Sequence, residues 1–243
     1  MKIRLDILRR ESGETEPYLQ SIMFETEDEN ATVATALSEI NKSEGIRDLN
    51  GKRVKPIRWE CSCLQKKCGA CAMVINSRPQ LACNARLKDC EKNGCIKIEP
   101  LRKFPVVQDL VVDRSVMFEN LRLMNVWFNE QTKADEGSAE ISYEASRCLQ
   151  CGCCLEVCPN FYAGSEFFGT SAMVPITRII SELPEAQKKE ILKAYREHGY
   201  SGCGKSLACR NVCPAGIDID RLLVNSNAAA VWRRKIGGRN KKK

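Results

Sequence analysis

Cysteine is the residue type that stands out in this chain, with 15 among 243 residues against a single histidine. An odd number of cysteines argues against a closed set of disulfides, and a chain of this length can bury a hydrophobic core without them. One histidine also leaves little scope for histidine-based catalysis or for zinc sites that use histidine. We therefore expect reduced thiolates that bind metal.

The first group of cysteines has the spacing Cys63-x4-Cys68-x2-Cys71-x11-Cys83. This spacing is typical of a plant-type 2Fe–2S cluster, in which a tight loop wraps the cluster and the fourth thiolate comes from further along the chain. We expect the small pair Gly69-Ala70 to let backbone N–H groups approach the sulfurs. The alternative is a four-cysteine zinc knuckle, which usually has two C-x2-C pairs where this stretch has one.

Two later runs each end in Cys-Pro and follow the template of two-cluster ferredoxins, in which the last cysteine of each run binds the other cluster. They read Cys148-x2-Cys151-x2-Cys154-x3-Cys158-Pro159 and Cys203-x5-Cys209-x3-Cys213-Pro214. Crossing the ligands predicts a 4Fe–4S site with four thiolates, namely Cys148, Cys151, Cys154 and Cys213. The other site has three thiolates, which suit a 3Fe–4S cluster, namely Cys158, Cys203 and Cys209.

Ser206 stands where the second run lacks a thiolate. It either marks the vacant position of a 3Fe–4S cluster or supplies a hydroxyl ligand to a fourth iron. Lys205 and Arg210 flank the ligands of this site. Because a positive charge stabilises the more negative reduced cluster, we expect both residues to raise its reduction potential.

Four cysteines lie outside these sets: Cys61, Cys90, Cys95 and Cys153. Cys61 and Cys153 are next to or near predicted ligands, and we expect them to be small buried hydrophobic residues. Cys90 and Cys95 flank an Asn93-Gly94 turn and are therefore close to one another, but we expect no disulfide in a reducing compartment.

The elements that position the first cysteine group are predicted to be mostly strands. Alternating apolar residues predict strands at 3–8, 18–24, 72–75, 78–82 and 96–98. Between them, Asn30 is expected to cap a helix that carries Val33, Leu37 and Ile40 on one face. Residues 1–104 are therefore predicted to form a mixed domain around the 2Fe–2S site.

The pattern becomes helical from Pro105. Apolar periodicity predicts a long helix that ends near Phe128, a polar loop over 129–140, and helices at 172–181, 184–197 and 218–232. The fold class is thus predicted as α+β, with a helical two-cluster domain at 105–232.

Composition and charge exclude several classes of function. The chain is 43% hydrophobic and 28% charged, which is ordinary for a globular protein. Seven basic side chains and no acid lie in a tail at 233–243, so the net charge of +7 belongs to that tail alone. We expect no nucleic-acid partner and no DNA-type basic patch. No stretch approaches the ~20 apolar residues of a membrane helix, and the N-terminus alternates like a strand rather than a signal peptide.

Clusters of these kinds carry single electrons. Thiolates that saturate the irons leave no open position for a substrate, so the chain is predicted to conduct electrons without catalysing a reaction alone. A chain with three clusters has two ends, and these must face different redox partners. We expect one partner to be a two-electron carrier such as a flavin and the other to be a quinone or haem.

The whole arrangement resembles the iron–sulfur subunit of succinate dehydrogenase and quinol:fumarate reductase. The resemblance rests on the two cysteine regions, on FPVVQDLVVDRSVMF at 104–118 and on CRNVCPAGID at 209–218. It implies a β-grasp fold for the first domain and an α-helical ferredoxin fold for the second. It also implies a flavoprotein partner with FAD, a cytochrome b membrane anchor with haem b, and a peripheral position on the cytoplasmic face of the inner membrane.

Two positions depart from the ubiquinone-type members of that family. Where those members have a tryptophan and a histidine, this chain has Ala163 and Gly204. It is therefore more similar to members that work with menaquinone through a dihaem anchor. Two alternatives stay open: the iron–sulfur subunit of another flavoenzyme, acting on a different enoate or a disulfide, and a zinc-binding interaction protein.

Overall fold

The computed structural model describes residues 1–127, 139–184 and 188–232, in two compact units. The first unit is Met1–Asp113 and the second begins at Arg114. The basic tail predicted at 233–243, and most of the loop predicted at 129–140, lie outside the described residues. Within the described residues, no helix is long and apolar enough to cross a membrane.

A five-stranded mixed sheet forms the centre of the first unit, in the order β2-β1-β5-β3-β4. The strands are β1 (Lys2–Arg9), β2 (Tyr18–Glu25), β3 (Ala72–Ile75), β4 (Arg78–Leu81) and β5 (Cys95–Glu99). β1 pairs antiparallel with β2 and parallel with β5, which places Leu5 between Ile22 and Ile96. All three side chains are fully buried. The five predicted strands are confirmed.

Helix α1 (Val33–Lys42) buries the predicted face of Val33, Leu37 and Ile40. Its cap is Thr32 rather than the predicted Asn30. The Thr32 hydroxyl accepts a hydrogen bond from the backbone of Thr35 at 3.1 Å, and the Thr35 hydroxyl accepts one from the backbone of Thr32 at 3.2 Å. This reciprocal pair satisfies two otherwise free N–H groups, which fixes the start of the helix. A short helix α2 (Leu87–Cys90) follows the β3–β4 hairpin.

The long helix predicted from Pro105 is wrong. The chain instead forms a hairpin of β6 (Val106–Gln108) and β7 (Val111–Val112), and a helix α3 (Ser115–Leu123) begins only afterwards. Asp109 sits in the turn of this hairpin with φ +47°, a backbone conformation that no α-helix contains. The hairpin belongs to the first unit, so the boundary lies at Asp113 rather than at residue 104.

The second unit is helical, as expected. Its further helices are α4 (Ala139–Ser146), α5 (Cys153–Glu156), α6 (Thr170–Glu182), α7 (Lys188–Ala194), α8 (Ala208–Val212) and α9 (Ile219–Asn227). The last two predicted helices hold only in part, because α7 and α9 each continue as a wider π-helical turn, at Tyr195–Tyr200 and Ala228–Trp232. A buried hydrogen bond of 2.8 Å between Thr177 and Ser226 joins α6 to α9.

Candidate metal centres

The loop that begins at Cys63 bends its backbone around a sulfur atom. Leu64 and Lys66 adopt left-handed conformations with φ +53° and +60°. These turns aim two backbone N–H groups at Cys63 Sγ, from Gln65 at 3.3 Å and from Lys67 at 3.4 Å. Together with a contact from Cys68, they lower the pKa of the Cys63 thiol to about 7. The loop therefore favours a thiolate at this position.

The other thiols of the first group meet at the base of the β3–β4 hairpin. Cys71 is 3% exposed and precedes β3, and its carbonyl accepts a hydrogen bond of 3.0 Å from the backbone of Ala82. The hairpin thus returns the chain so that Cys83 contacts Cys71, with Cys68 nearby. Burial raises the pKa of the Cys71 thiol to about 12. The structure brings together all four sequence-predicted thiols of this site.

Three side chains hold the segment 55–58, which leads into this loop, by bonding to the backbone of that segment. We call Arg9, Asn41 and Asp109 the clamp. Arg9 donates to the carbonyls of Lys55 and Pro56 at 3.2 and 3.1 Å. The amide of Asn41 pairs with both backbone groups of Ile57, at 2.7 and 2.8 Å. Asp109 accepts from the backbone of Arg58 at 2.9 Å. Because the segment belongs to no strand, these side chains replace a sheet partner in fixing its path.

The second thiol group lines a single cavity in the helical unit. Its members are the four cysteines predicted for the 4Fe–4S site, namely Cys148, Cys151, Cys154 and Cys213. The turn before α5 bends the backbone around this cavity, because Gln150 and Gly152 have φ of +49° and +87°. Burial raises the pKa of Cys148 to about 11, so binding metal to this thiolate must offset its desolvation.

Arg114 is a neighbour of this cavity that was not predicted from the sequence. Its guanidinium donates to the carbonyl of Cys151 at 3.3 Å, and it lies close enough to Cys151 and Cys153 to interact with them electrostatically. Burial lowers the pKa of Arg114. Nothing in the local sequence around Arg114 indicates this role, since the contact spans 37 residues.

The third group lines a second cavity nearby. Its cysteines are Cys158, Cys203 and Cys209, and Ser206 lies on the exposed side of the same cavity. Cys209 is close to both other thiols, and burial raises its pKa. The Thr170 side chain bonds to Cys209, and Thr170 also lines the cavity of the second group. One residue at the start of α6 therefore borders both sites.

The two residues predicted to adjust the potential of the third site differ in their surroundings. Lys205 Nζ lies 3.4 Å from the carbonyl of Cys203 and 4.7 Å from the centre of the Tyr200 ring. Arg210 instead forms an ion pair of 2.9 Å with Asp220. The carboxylate cancels part of the positive field of Arg210, whereas Lys205 faces a ligand-bearing segment directly.

The four remaining cysteines do not belong to the predicted ligand sets, and they differ in their exposure. Cys153 is fully buried, as expected, but Cys61 is exposed, so the expectation of a buried Cys61 is wrong. Cys61 precedes the turns that fold the loop inward and therefore stays at the surface. Cys95 donates a hydrogen bond of 3.1 Å to Asp6, and Cys90 is half-buried; both are free thiols.

The thiol groups show two features that iron–sulfur clusters need, namely shared cavities and hydrogen bonds to sulfur. Among the residues that the structure describes, no three or more His, Cys, Asp or Glu side chains are arranged to hold one metal ion. In the helical unit the thiols are instead distributed around shared cavities. Backbone N–H groups directed at a sulfur are the interactions that an electron-rich cluster requires.

Comparison with known proteins first defines the class. Residues 4–119 match the 2Fe-2S iron-sulfur cluster binding domain, and residues 144–217 match the 4Fe-4S dicluster domain. The chain is thus an iron–sulfur protein with a 2Fe–2S domain followed by a dicluster domain.

The chain belongs to the family of iron–sulfur subunits of succinate dehydrogenase and fumarate reductase. It is 35% identical to the succinate dehydrogenase iron-sulfur subunit of Bacillus subtilis over 228 residues, 89% of this chain and 88% of that protein. It is 33% identical to the fumarate reductase iron-sulfur subunit of Escherichia coli O6:H1, over 66% of this chain and 68% of that one. Such subunits are parts of oxidoreductase complexes.

A solved structure shows the same fold. A chain of the Mycobacterium smegmatis Sdh1 complex in the apo form superimposes with a TM-score of 0.78 and 22% identity. The match covers 96% of this chain and 97% of that one. The predicted α+β architecture is confirmed.

Proposed function

We propose that this chain carries single electrons between the FAD of a flavoprotein subunit and a haem b-containing membrane anchor. The observation that carries the proposal is the shared wall at Thr170, which borders both thiol-lined cavities of the helical unit. Cys154 of one group and Cys209 of the other also lie close enough to interact electrostatically. Two sites separated by one side chain suit a short electron-transfer step.

Each cluster has a proposed set of ligands. The 2Fe–2S cluster is held by Cys63, Cys68, Cys71 and Cys83. The 4Fe–4S cluster is held by Cys148, Cys151, Cys154 and Cys213. The 3Fe–4S cluster is held by Cys158, Cys203 and Cys209. When bound, these clusters supply one-electron transfer. The protein supplies thiolates, hydrogen bonds to the sulfurs, and partial exclusion of water.

The third site is proposed to hold three irons. Of the described residues that line this cavity, three carry thiols, and the fourth position is occupied by the hydroxyl-bearing Ser206. A serine hydroxyl is far less acidic than a thiol, so it is a weaker ligand for iron in a sulfur cluster. In this proposal the site lacks a fourth thiolate at Ser206, and the cluster therefore lacks the fourth iron.

The glycine at position 204, where ubiquinone-type members have a histidine, supports a dihaem, menaquinone-type anchor. A Cβ atom at Gly204 would lie 3.0 Å from the side-chain nitrogen of Asn160. That amide is already held by a hydrogen bond of 2.7 Å to the carbonyl of Gly202. A side chain at this position would therefore need the Asn160 amide to shift. Because the chain has no histidine here, the 3Fe–4S cluster is proposed to pass electrons to haem b. The chain would then sit peripherally on the cytoplasmic face of the membrane.

The function is tested by isolating the chain with the subunits that co-purify with it. Succinate added to the oxidised complex should bleach the visible absorption of the clusters, and fumarate should restore it after reduction. A Cys71→Ser variant should weaken this response by removing the most buried 2Fe–2S ligand, while Cys61→Ser should leave it unchanged. Bleaching by a dithiol or by the saturated form of a different enoate, but not by succinate, would contradict the proposal and identify another flavoenzyme.

A further inference from the structure

Helix α6 contains a proline, Pro175, in its second turn. Proline has no backbone N–H, so the carbonyl four residues earlier loses its helical partner. That carbonyl belongs to Ser171, which lies where α6 borders the cavity of the second thiol group. The sequence of α6 therefore leaves a free acceptor beside a cluster site.

The side chain of Gln150 donates a hydrogen bond to this free carbonyl. Its Nε2 atom donates to the Ser171 carbonyl at 2.9 Å and lies 3.2 Å from Cys148 Sγ. An amide nitrogen carries two hydrogens, so it can make both hydrogen bonds at once. Both neighbours act as acceptors toward this amide, the sulfur as a thiolate, and that fixes the nitrogen rather than the oxygen toward them. Within the part of the chain that the structure describes, Gln150 Oε1 is buried with no hydrogen-bond partner.

We propose that Gln150 is a positioning residue that raises the reduction potential of the 4Fe–4S cluster. An N–H group that donates to a ligand sulfur stabilises the reduced cluster more than the oxidised one, because the reduced cluster is more negative. Pro175 contributes by leaving the Ser171 carbonyl free to hold the amide in place. The inference rests on the proposed ligand role of Cys148.

The test uses the purified complex and a redox titration followed by EPR. Gln150→Met keeps the length of the side chain and removes both donors. At a fixed potential it should lower the ratio of reduced to oxidised 4Fe–4S cluster by about two- to tenfold, the range for one net hydrogen bond. Pro175→Ala returns an N–H to the Ser171 carbonyl and should lower the ratio by less. The 2Fe–2S cluster of the same protein is the internal control and should not shift.

The outcomes separate the two claims. A wild-type complex with no 4Fe–4S signal would overturn the proposed ligand assignment. Normal signals with equal 4Fe–4S potentials in wild type and Gln150→Met would overturn the role of Gln150 alone. Equal shifts of the 2Fe–2S and 4Fe–4S potentials would also overturn it, because they would report a general change. A wild-type potential in Pro175→Ala would overturn the contribution of the proline.

Discussion

Arg9 and Asp109 form a buried two-point ion pair, with Nε to Oδ1 at 2.8 Å and Nη2 to Oδ2 at 3.0 Å. Their side chains are 3% and 2% exposed. Asp109 also accepts from the backbones of Arg10 and Arg58, and Arg9 also donates to Gln20 and to the carbonyls of Lys55 and Pro56. Every donor of the guanidinium is used. The pair ties the end of β1 and the β6–β7 hairpin to the segment that leads into the 2Fe–2S loop.

Asp109→Asn is expected to destabilise the first unit by about 3–5 kcal/mol, because it leaves a buried guanidinium without its counter-charge. The measurement is the urea midpoint at which the 2Fe–2S absorption is lost. The matched control is Glu11→Gln, which breaks the exposed Lys55–Glu11 ion pair of 2.8 Å and should leave the midpoint near that of wild type. Equal midpoints for Asp109→Asn and wild type would contradict the claim that the ion pair of Arg9 and Asp109 stabilises the first unit.

Gly202→Ala is expected to disrupt the third site. A Cβ atom there would lie 2.5 Å from Cδ2 of Phe167, and overpacking of this kind costs about 1–3 kcal/mol. Because Gly202 adjoins Cys203, the strain falls on a ligand, and the EPR signal of the third cluster should decrease relative to the other two.

Gly164→Ala is the control for that substitution. Gly164 has φ +85°, and a Cβ atom added there would meet nothing within 4 Å, so only backbone strain of about 1–2 kcal/mol is added. The cluster signals should keep their wild-type proportions. Loss of the third cluster in Gly164→Ala but not in Gly202→Ala would reverse the expected order.

Lys205→Gln is expected to lower the reduction potential of the third cluster, with a change of about two- to fivefold in the ratio of reduced to oxidised cluster at a fixed potential. Arg210→Gln should change it less, because Asp220 already offsets that charge. An EPR redox titration of both variants and of the double variant measures this. A wild-type potential in the double variant would rule out a role for either charge.

Arg114→Gln is expected to lower the potential of the 4Fe–4S cluster by removing a half-buried positive charge near Cys151. The change should be larger than for the exposed Lys205, about tenfold in the ratio of reduced to oxidised cluster. Arg114→Lys keeps the charge and should recover most of the potential. If Gln and Lys at this position gave the same potential, the effect would be structural rather than electrostatic.

The groups of cysteines could be predicted from the sequence because local spacing determines which thiols a loop can bring together. The hairpin at 106–112 could not, because its apolar residues also fit a helical period. What decides its structure is Asp109, whose partner Arg9 lies 100 residues earlier. For the same reason neither Arg114 nor the link from Pro175 through Ser171 to Gln150 could be predicted: these roles depend on contacts between distant segments.

The most direct test of three clusters in one chain is EPR of the purified protein, oxidised and then reduced with dithionite, with iron measured on the same sample. We predict a signal near the free-electron position in the oxidised state, from the 3Fe–4S cluster, and further signals on reduction from the 2Fe–2S and 4Fe–4S clusters. The iron content should approach about nine atoms per chain, as the sum of two, four and three from the proposed clusters. A colourless protein with stoichiometric zinc and no EPR signal in either state would contradict this assignment.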